Sequence, residues 1–189
     1  HIDDFQHRDR YILFTYLCNH IARKVRKGEQ AFLREQFDLM QIYIPRKIFI
    51  IDGKFNHGQF INIVDTGSKL KAFDWLQDFI QQWQSYLLED LREVSLLLAD
   101  ALVHFYQKEF DQAITLAESI YTKDLQIEMR RRWLILQANY EKGEIQFLEN
   151  SLKTYETFVR RKGSAGSLIE AHQKASIKVS YFFRKLIRL

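Results

Sequence analysis

The sequence is poor in cysteine, proline and glycine, and each shortage narrows the choice of fold. Its 189 residues include one Cys, one Pro and seven Gly. A single Cys cannot form an internal disulfide, which excludes a disulfide-stabilised scaffold and fits a reducing compartment. So few Pro and Gly cannot supply the turns of a protein built from many short strands. We therefore expect long helices joined by tight turns.

Long apolar runs are also lacking. No stretch approaches the roughly 18 apolar residues that a membrane-spanning helix needs, and the opening residues His1–Asp4 are too polar for a signal peptide. We therefore expect a cytoplasmic protein without a membrane span. Because the first residue is not Met, we also expect the chain to be a fragment of a longer polypeptide.

Positive charge is concentrated at the C-terminal end. The net charge is +4, but residues 160–189 carry eight bases and one acid, or +7, which leaves −3 for residues 1–159. A solvated outer helix face is one interpretation; a surface that binds nucleic acid or an acidic partner is the other. The eight bases are Arg160, Arg161, Lys162, Lys174, Lys178, Arg184, Lys185 and Arg188.

Helical periodicity runs along almost the whole chain. Apolar side chains recur every three or four residues, as at Leu91, Val94, Leu98 and Phe105, which is the spacing of one buried helix face. The pattern predicts a single all-α domain over residues 1–189. The expected elements are helix pairs at about 3–44, 57–88, 90–122 and 124–161, and a last helix at about 168–187.

One segment interrupts the helical pattern. Residues 45–54, PRKIFIIDGK, contain the only Pro, an apolar run rich in Ile and an Asp-Gly turn signal. We expect a short extended stretch that plugs the core between the first two helix pairs. A hairpin is less favoured because no second strand follows.

The turns within the helix pairs repeat. Residues 27–37 (KGEQAFLREQF) and 142–152 (KGEIQFLENSL) share the pattern K-G-E-x-x-F-L-x-x-x-[F/L]. One helix pair cannot bury its apolar face alone, whereas stacked pairs supply a continuous core, so the same turn must recur. The aligned turn positions are 28, 71, 108 and 143.

A period near 34 residues with paired helices resembles the tetratricopeptide repeat. Residues 101–114, ALVHFYQKEFDQAI, resemble one such repeat at its turn, with Phe110 and Ala113 at the family's packing positions. Residues 60–80, FINIVDTGSKLKAFDWLQDFI, resemble a set of uncharacterised bacterial proteins with tetratricopeptide-like C-terminal halves and no assigned activity. The resemblance implies a right-handed α-α superhelix, with a C-terminal capping helix and a concave surface lined by the first helix of each pair.

No set of residues is typical of an enzyme or a metal site. Cys18 and His20 point about 200° apart on a helix and so cannot form a thiolate–base pair. Asp100 and His104 share a helix face but lack a third ligand nearby in sequence. Phosphate-loop, zinc-protease and hydrolase motifs are absent from the sequence. We expect no enzymatic activity and no cofactor.

Arg130-Arg-Arg-Trp133 is the strongest candidate for a binding site. It lies on the first helix of the fourth pair, which the resemblance places on the concave surface. Arg with Trp and Tyr is typical of binding hot spots, although only one or two of the Arg side chains can face one groove. The alternative is a buried Trp133 with solvated Arg groups. The candidate partner-binding residues are Arg130, Arg131, Trp133, Asn139, Tyr140 and His104.

The leading functional hypothesis is a non-enzymatic interaction or scaffold module that binds a peptide or partner segment in its concave groove. One alternative is nucleic-acid or acidic-surface binding through the basic C-terminal residues. Another is a regulatory domain of a longer protein. Architecture does not fix function, so the partner and the oligomeric state stay open at this point.

Overall fold

The computed structural model describes residues 2–163, 177–178 and 181–185. This part of the chain is almost entirely helical, which confirms the all-α class expected from the scarcity of turn formers. Residues 181–185 are helical as well. The α-helices are α1 (His7–Arg26), α2 (Ala31–Tyr43), α3 (His57–Lys69), α4 (Phe73–Trp83), α5 (Glu89–Tyr106), α6 (Phe110–Ser119), α7 (Leu125–Lys142) and α8 (Ile145–Gly163).

The helices follow one another as four pairs, each joined by a tight turn. Helix α1 packs on α2, α3 on α4, α5 on α6 and α7 on α8. The pairs also pack on one another, through α3 with α5, α6 with α7, and α5 with α7. The last helix expected at 168–187 lies outside the described residues, except for 177–178 and 181–185, which are helical.

The same hydrogen-bonded turn closes the first helix of each pair. In each turn one N–H bonds the carbonyl three residues back and the next N–H bonds the carbonyl five residues back, at 2.9–3.3 Å. This arrangement satisfies the last carbonyls of the helix and requires a left-handed residue. Those residues are Gly28, Lys71, Lys108 and Gly143, with φ of 90°, 58°, 68° and 72°. They are the four turn positions that align in the sequence.

The segment between α2 and α3 contains a short hairpin. Ile50–Ile51 pairs antiparallel with Lys54–Phe55, and the two residues between them, Asp52 and Gly53, both have positive φ, as two-residue hairpin turns require. The expectation against a hairpin was therefore wrong. The second strand is only two residues long and leads directly into Asn56, the N-cap of α3, so it leaves no strand pattern in the sequence.

The segment that contains this hairpin occupies the core between the first two helix pairs, as the sequence predicted. The buried ring of Phe49 meets Tyr11 of α1 and Tyr43 of α2 edge to face, with centroids 5.5 and 4.5 Å apart. The buried ring of Phe55 meets the second pair in the same manner. Its partners, at 6.1–6.2 Å, are Phe60, Phe79 and Trp83.

The core continues through the later pairs. Ala113 of α6 is fully buried, as are Leu98 and Ala101 of α5. A second, smaller cluster lies between α7, α8 and residues 181–185, where Leu136 and Phe183 are buried together. Apolar contacts thus bind each helix pair to the next over the described residues.

Candidate functional site

The three consecutive arginines of α7 diverge to two surfaces. Arg130 donates to Oδ1 of Asn62 on α3, whereas Arg131 and Arg132 both donate to Glu128 on their own helix. The divergence follows from the helix geometry, because successive residues point about 100° apart. Only Arg130 therefore faces the first helix of an earlier pair.

Glu128 fixes the other two arginines. Its Oε1 accepts from Arg131 Nη2 and from Arg132 Nε, each at 2.7 Å. Burial acts to raise the pKa of Glu128, but the hydrogen bonds and charges of the two guanidinium groups outweigh it and hold this pKa below its ordinary value. Glu128 is therefore ionised at neutral pH and anchors both side chains.

Trp133 and Tyr140 share another face of α7. Both rings contact Phe183, with centroids 5.8 and 5.7 Å away. Trp133 is partly buried against the second apolar cluster, and Tyr140 is exposed. These two aromatic residues therefore lie together, on a different face of the helix from Arg130.

Asn139 and His104 lie close to two of the repeated turns. Asn139 is buried, and its Nδ2 donates to Ile135 O and to Ser151 Oγ on α8, both at 3.0 Å. His104 Nδ1 lies 2.5 Å from Glu109 Oε2, across the turn at Lys108. The six candidate residues are thus distributed over several surfaces, and these two make contacts that hold helix ends together.

The basic residues of the C-terminal end are only partly within the described residues. Arg184 forms a bidentate ion pair with Glu156 of α8, at 2.6 and 2.9 Å. Lys174, Arg188 and the side chain of Lys162 lie outside the described part of the chain. The exposed members of the set are Arg160, Arg161, Lys178, Arg184 and Lys185.

A cleft of about 260 Å³ lies between α1, α2, α3 and the start of α7. Helix α3 contributes a row of polar side chains, which are Gln59, Asn62, Asp65, Thr66 and Lys69. Arg130 lines the same cleft from α7, and Arg26 lines it from the end of α1. The cleft therefore combines amides with three basic groups and one carboxylate.

The carboxylate of Asp65 is already engaged within the protein. Its Oδ2 accepts from Lys69 Nζ at 2.7 Å, and its Oδ1 accepts from the hydroxyl of Tyr106 at 3.1 Å. Burial and the neighbouring Asp65 charge raise the pKa of Tyr106 well above its ordinary value, so the phenol remains a donor. Because Lys69 balances Asp65, the cleft keeps a net positive charge from Arg26 and Arg130.

Tyr43 borders the cleft, and its hydroxyl is enclosed beside the Cys18 thiol. Its side chain is 1% exposed, and within the described residues the hydroxyl has no hydrogen bond of good geometry. Its neighbour is the Cys18 thiol, whose pKa burial raises to about 11. Burial likewise raises the pKa of Tyr43. Because the hydroxyl is enclosed, the Cys18 thiol is the polar group beside it, and a ligand in the cleft would meet the ring edge rather than the hydroxyl.

Sequence reasoning identified Arg130 but missed the α3 side of the cleft. The signal was present, since Gln59, Asn62, Asp65 and Lys69 recur at intervals of three or four residues on one helix face. The remaining faces of α3 are strongly apolar, with Phe60, Ile61, Ile63 and Val64 all buried. A polar row on an otherwise buried helix is a useful marker of such a site.

A larger groove of about 690 Å³ lies between α6, α7 and α8. Most of its charged groups are paired: Lys142 contacts Asp111 and Glu144, and Arg131 and Arg132 contact Glu128 beside the groove. This internal pairing leaves few charged groups for a ligand. The smaller cleft is therefore the better candidate site.

The described residues contain no cluster of three or more side chains suited to a metal ion. Among the described helices, none has the length and apolar character needed to cross a bilayer. Scans against protein-family models, curated proteins and solved structures found no match.

Proposed function

We propose that this chain is a non-enzymatic protein-interaction module that binds an extended segment of a partner in the cleft between α1, α2, α3 and α7. The observation that carries the proposal is the α3 row of hydrogen-bonding side chains, which lines one cleft together with Arg130 of α7. Amide and guanidinium side chains of this kind can bond the backbone of an extended peptide.

The recurring turn supports a tetratricopeptide-like arrangement of the four helix pairs. The same pair of turn hydrogen bonds occurs at all four positions, and the first helices α3, α5 and α7 contact one another in order. In a stacked array of this kind, the first helices line an extended concave surface that serves binding. The cleft is lined by three first helices, α1, α3 and α7, and by one second helix, α2.

The dimensions of the cleft favour a peptide over a compact small molecule. From Gln59 to Lys69 the α3 row extends about 15 Å, which matches roughly four to five residues of extended chain. The cleft volume of about 260 Å³ is below the range of about 300–1,000 Å³ for small-molecule pockets. A segment that runs along α3 would need only part of its side chains enclosed.

The charge of the cleft favours an acidic segment. Arg26 and Arg130 have no carboxylate partner within the described residues, while Asp65 is balanced by Lys69. A carboxylate that reaches Arg130 can form a bidentate contact with its guanidinium group. We therefore propose a partner segment that carries Asp or Glu.

The test is a selection of peptides from a random displayed library, followed by titration of the selected peptides. We expect Arg130→Ala to weaken binding about tenfold, as expected for a hot-spot arginine. Arg131→Ala is the matched control, because it alters the same residue type on the same helix but on the side of Glu128. It should leave the dissociation constant unchanged.

Three outcomes would contradict the proposal. If no peptide were selected, the cleft would not be a peptide-binding site, and a regulatory domain within a longer chain would be favoured. Equal loss of binding in both variants would place the site elsewhere. Binding of an oligonucleotide that falls steeply with salt, and that ignores Arg130→Ala, would favour the basic C-terminal residues as the functional surface.

A further inference from the structure

Helix α1 carries an apolar patch on the face that points away from the core. Its inner face is buried through Phe14, with Tyr11 and Cys18 packed beside it. The outer patch, called the α1 patch below, consists of Ile12 (43% exposed), Leu13 (42%), Tyr16 (71%) and Leu17 (40%). Four adjacent exposed apolar side chains on one helix are typical of an interaction surface rather than of scattered surface residues.

Charged residues continue the same face at each end of the patch. At 100° per residue, Asp9 and His20 lie within about 40° of Tyr16 around the helix axis, and both are exposed. Arg23, also exposed, follows His20 by about one turn on this face. The acidic end and the basic end are therefore separated by the apolar patch.

The order of these residues is self-complementary. Three pairs of residues are placed symmetrically about the midpoint between residues 14 and 15. They are Ile12 with Leu17, Leu13 with Tyr16, and Asp9 with His20. When a helix packs on an antiparallel copy about such a midpoint, each residue lies opposite its symmetry mate. The apolar side chains then cover one another, and Asp9 of each copy lies opposite His20 with Arg23 close by.

We propose that the partner of the α1 patch is a second copy of this chain, docked antiparallel through α1 with its twofold axis between residues 14 and 15. A closed twofold interface requires a surface that complements itself. Apolar contacts at the centre and opposite charges at both ends meet that requirement. The parallel orientation is disfavoured, because parallel copies would place Asp9 against Asp9 and Arg23 against Arg23.

The size of the surface sets the strength of the dimer. Helix α1 has 20 residues and is about 30 Å long and about 10 Å wide, so two copies cover on the order of 600–900 Å² in total. Stable complexes bury about 1,200–2,000 Å². The dimer is therefore weak, with a dissociation constant on the order of 10–100 μM, an affinity typical of transient contacts.

Dimerisation through α1 leaves the cleft accessible. The α1 residues that line the cleft lie either on the side of the helix opposite Tyr16 or on its flank. They are Cys18, Ala22 and Val25 on the opposite side, and Asn19 and Arg26 on the flank. A dimer would carry two clefts and could hold two partner segments at once. The dimer does not depend on what the clefts bind.

The first experiment is sedimentation equilibrium of the 189-residue chain from about 5 to 500 μM, a range that brackets the expected constant. We expect a reversible monomer–dimer equilibrium. Tyr16→Arg should abolish the dimer while the helical circular dichroism signal stays unchanged, because Tyr16 is mostly exposed. Tyr121→Arg is the matched control, since Tyr121 is also exposed but far from α1; it should leave the equilibrium unchanged.

The second experiment tests the antiparallel register by charge exchange. Asp9→Arg alone places like charges opposite each other, and so does the double variant His20→Glu/Arg23→Glu; each should be monomeric. An equimolar mixture of the two should form a heterodimer, because every facing pair is then opposite in charge. The orientation is tested by the triple variant Asp9→Arg/His20→Glu/Arg23→Glu, which should dimerise again. Its introduced Arg faces an introduced Glu of the other copy when the helices are antiparallel, but faces the same introduced Arg when they are parallel.

Three results would overturn the proposal. A strictly monomeric chain over the whole concentration range would show that a second copy does not cover the patch. A dimer that survives Tyr16→Arg would place the contact on another surface. Failure of the mixed variants to associate, with each still folded, would exclude the antiparallel register.

Discussion

Lys71 and Lys108 occupy equivalent positions in successive turns, and both have the left-handed backbone that Gly28 and Gly143 adopt in the other two. A residue with a Cβ atom loses about 1–2 kcal/mol in this conformation, whereas Gly does not. The turn nevertheless forms at both lysines, because its two hydrogen bonds and the packing of the flanking helices over-determine the backbone. The same turn geometry therefore forms with either Gly or Lys at the left-handed position.

The first prediction compares turn residues of both kinds. Gly143→Ala should lower the free energy of unfolding by about 1 kcal/mol, because the new Cβ meets no atom within 4 Å and only the backbone cost remains. Lys108→Gly should raise it by about 0.5–1 kcal/mol, since relief of strain exceeds the extra entropy of the unfolded chain. Urea denaturation measures both.

Lys108→Ala is the matched control for the turn prediction. It removes the lysine side chain but keeps a Cβ atom on the left-handed residue, so the stability should stay within about 0.5 kcal/mol of the original. If Lys108→Ala stabilised the protein as much as Lys108→Gly, side-chain removal rather than backbone strain would be the cause.

A second prediction concerns the contact between α3 and α4. A Cβ atom at Gly67 would lie 2.8 Å from Leu76 Cδ2 and 2.9 Å from its Cγ, and Leu76 is almost fully buried. Gly67→Ala should therefore destabilise by about 1–3 kcal/mol through overpacking, although Ala is the better helix former by about 1 kcal/mol.

A double-mutant cycle isolates that contact. Leu76→Ala alone should cost about 2–5 kcal/mol because it leaves a cavity. In the Leu76→Ala background, Gly67→Ala should cost nothing or stabilise, since the obstructing atoms are gone and only the helix propensity remains. Additive effects in the thermal unfolding of the two variants would refute the close approach.

The third prediction uses the ionisation of Glu128. Its folded-state pKa lies below its ordinary value, so its contribution to stability is complete above the ordinary pKa and disappears as the pH falls through the lowered folded pKa. Glu128→Gln should destabilise by about 1 kcal/mol near neutral pH, where two guanidinium groups lose their charged acceptor.

The difference between wild type and Glu128→Gln should shrink as the pH falls below the ordinary carboxyl pKa and vanish once it passes the lowered folded pKa, where both proteins carry a neutral side chain. Urea denaturation at several pH values measures this dependence. Glu118→Gln is the control, since Glu118 is exposed on α6. A constant difference at every pH would mean that the amide disturbs packing rather than charge.

The fourth prediction concerns the reactivity of Cys18. Burial raises the pKa of its thiol from 9.0 to about 11, so roughly 100-fold less thiolate is present at neutral pH than for an ordinary thiol of this kind. Alkylation by iodoacetamide should therefore be slow in the folded protein and return to the ordinary rate in urea. Rapid labelling of the folded protein would show that Cys18 is accessible and ionised.

Local structure accounts for the part of the fold that the sequence could predict. The turns at residues 28 and 143 follow from glycines that end two periodic segments, and the turns at 71 and 108 follow from alignment with them. Each turn depends on hydrogen bonds between residues three to five apart, so a short stretch of sequence contains the necessary information.

The cleft and the α1 patch depend on packing between distant segments, which no short pattern encodes. Arg130 and Asn62 are 68 residues apart in sequence, so their contact required the arrangement of three helix pairs. The sequence could not predict that Tyr16 is exposed, because its spacing from Ile12 and Leu13 is the same as that of buried apolar residues. Helical periodicity identifies apolar faces but does not identify which of them are covered.

The hairpin between α2 and α3 has a consequence for cooperativity. In stacked helical repeats each unit contacts only its neighbours, so one end can unfold while the rest persists. Here the chain that joins the first two pairs places Phe49 in one and Phe55 in the other, and Phe55 also bridges to Leu87, next to α5. Opening the first pair would withdraw aromatic rings from the second, so the N-terminal half should unfold as one unit.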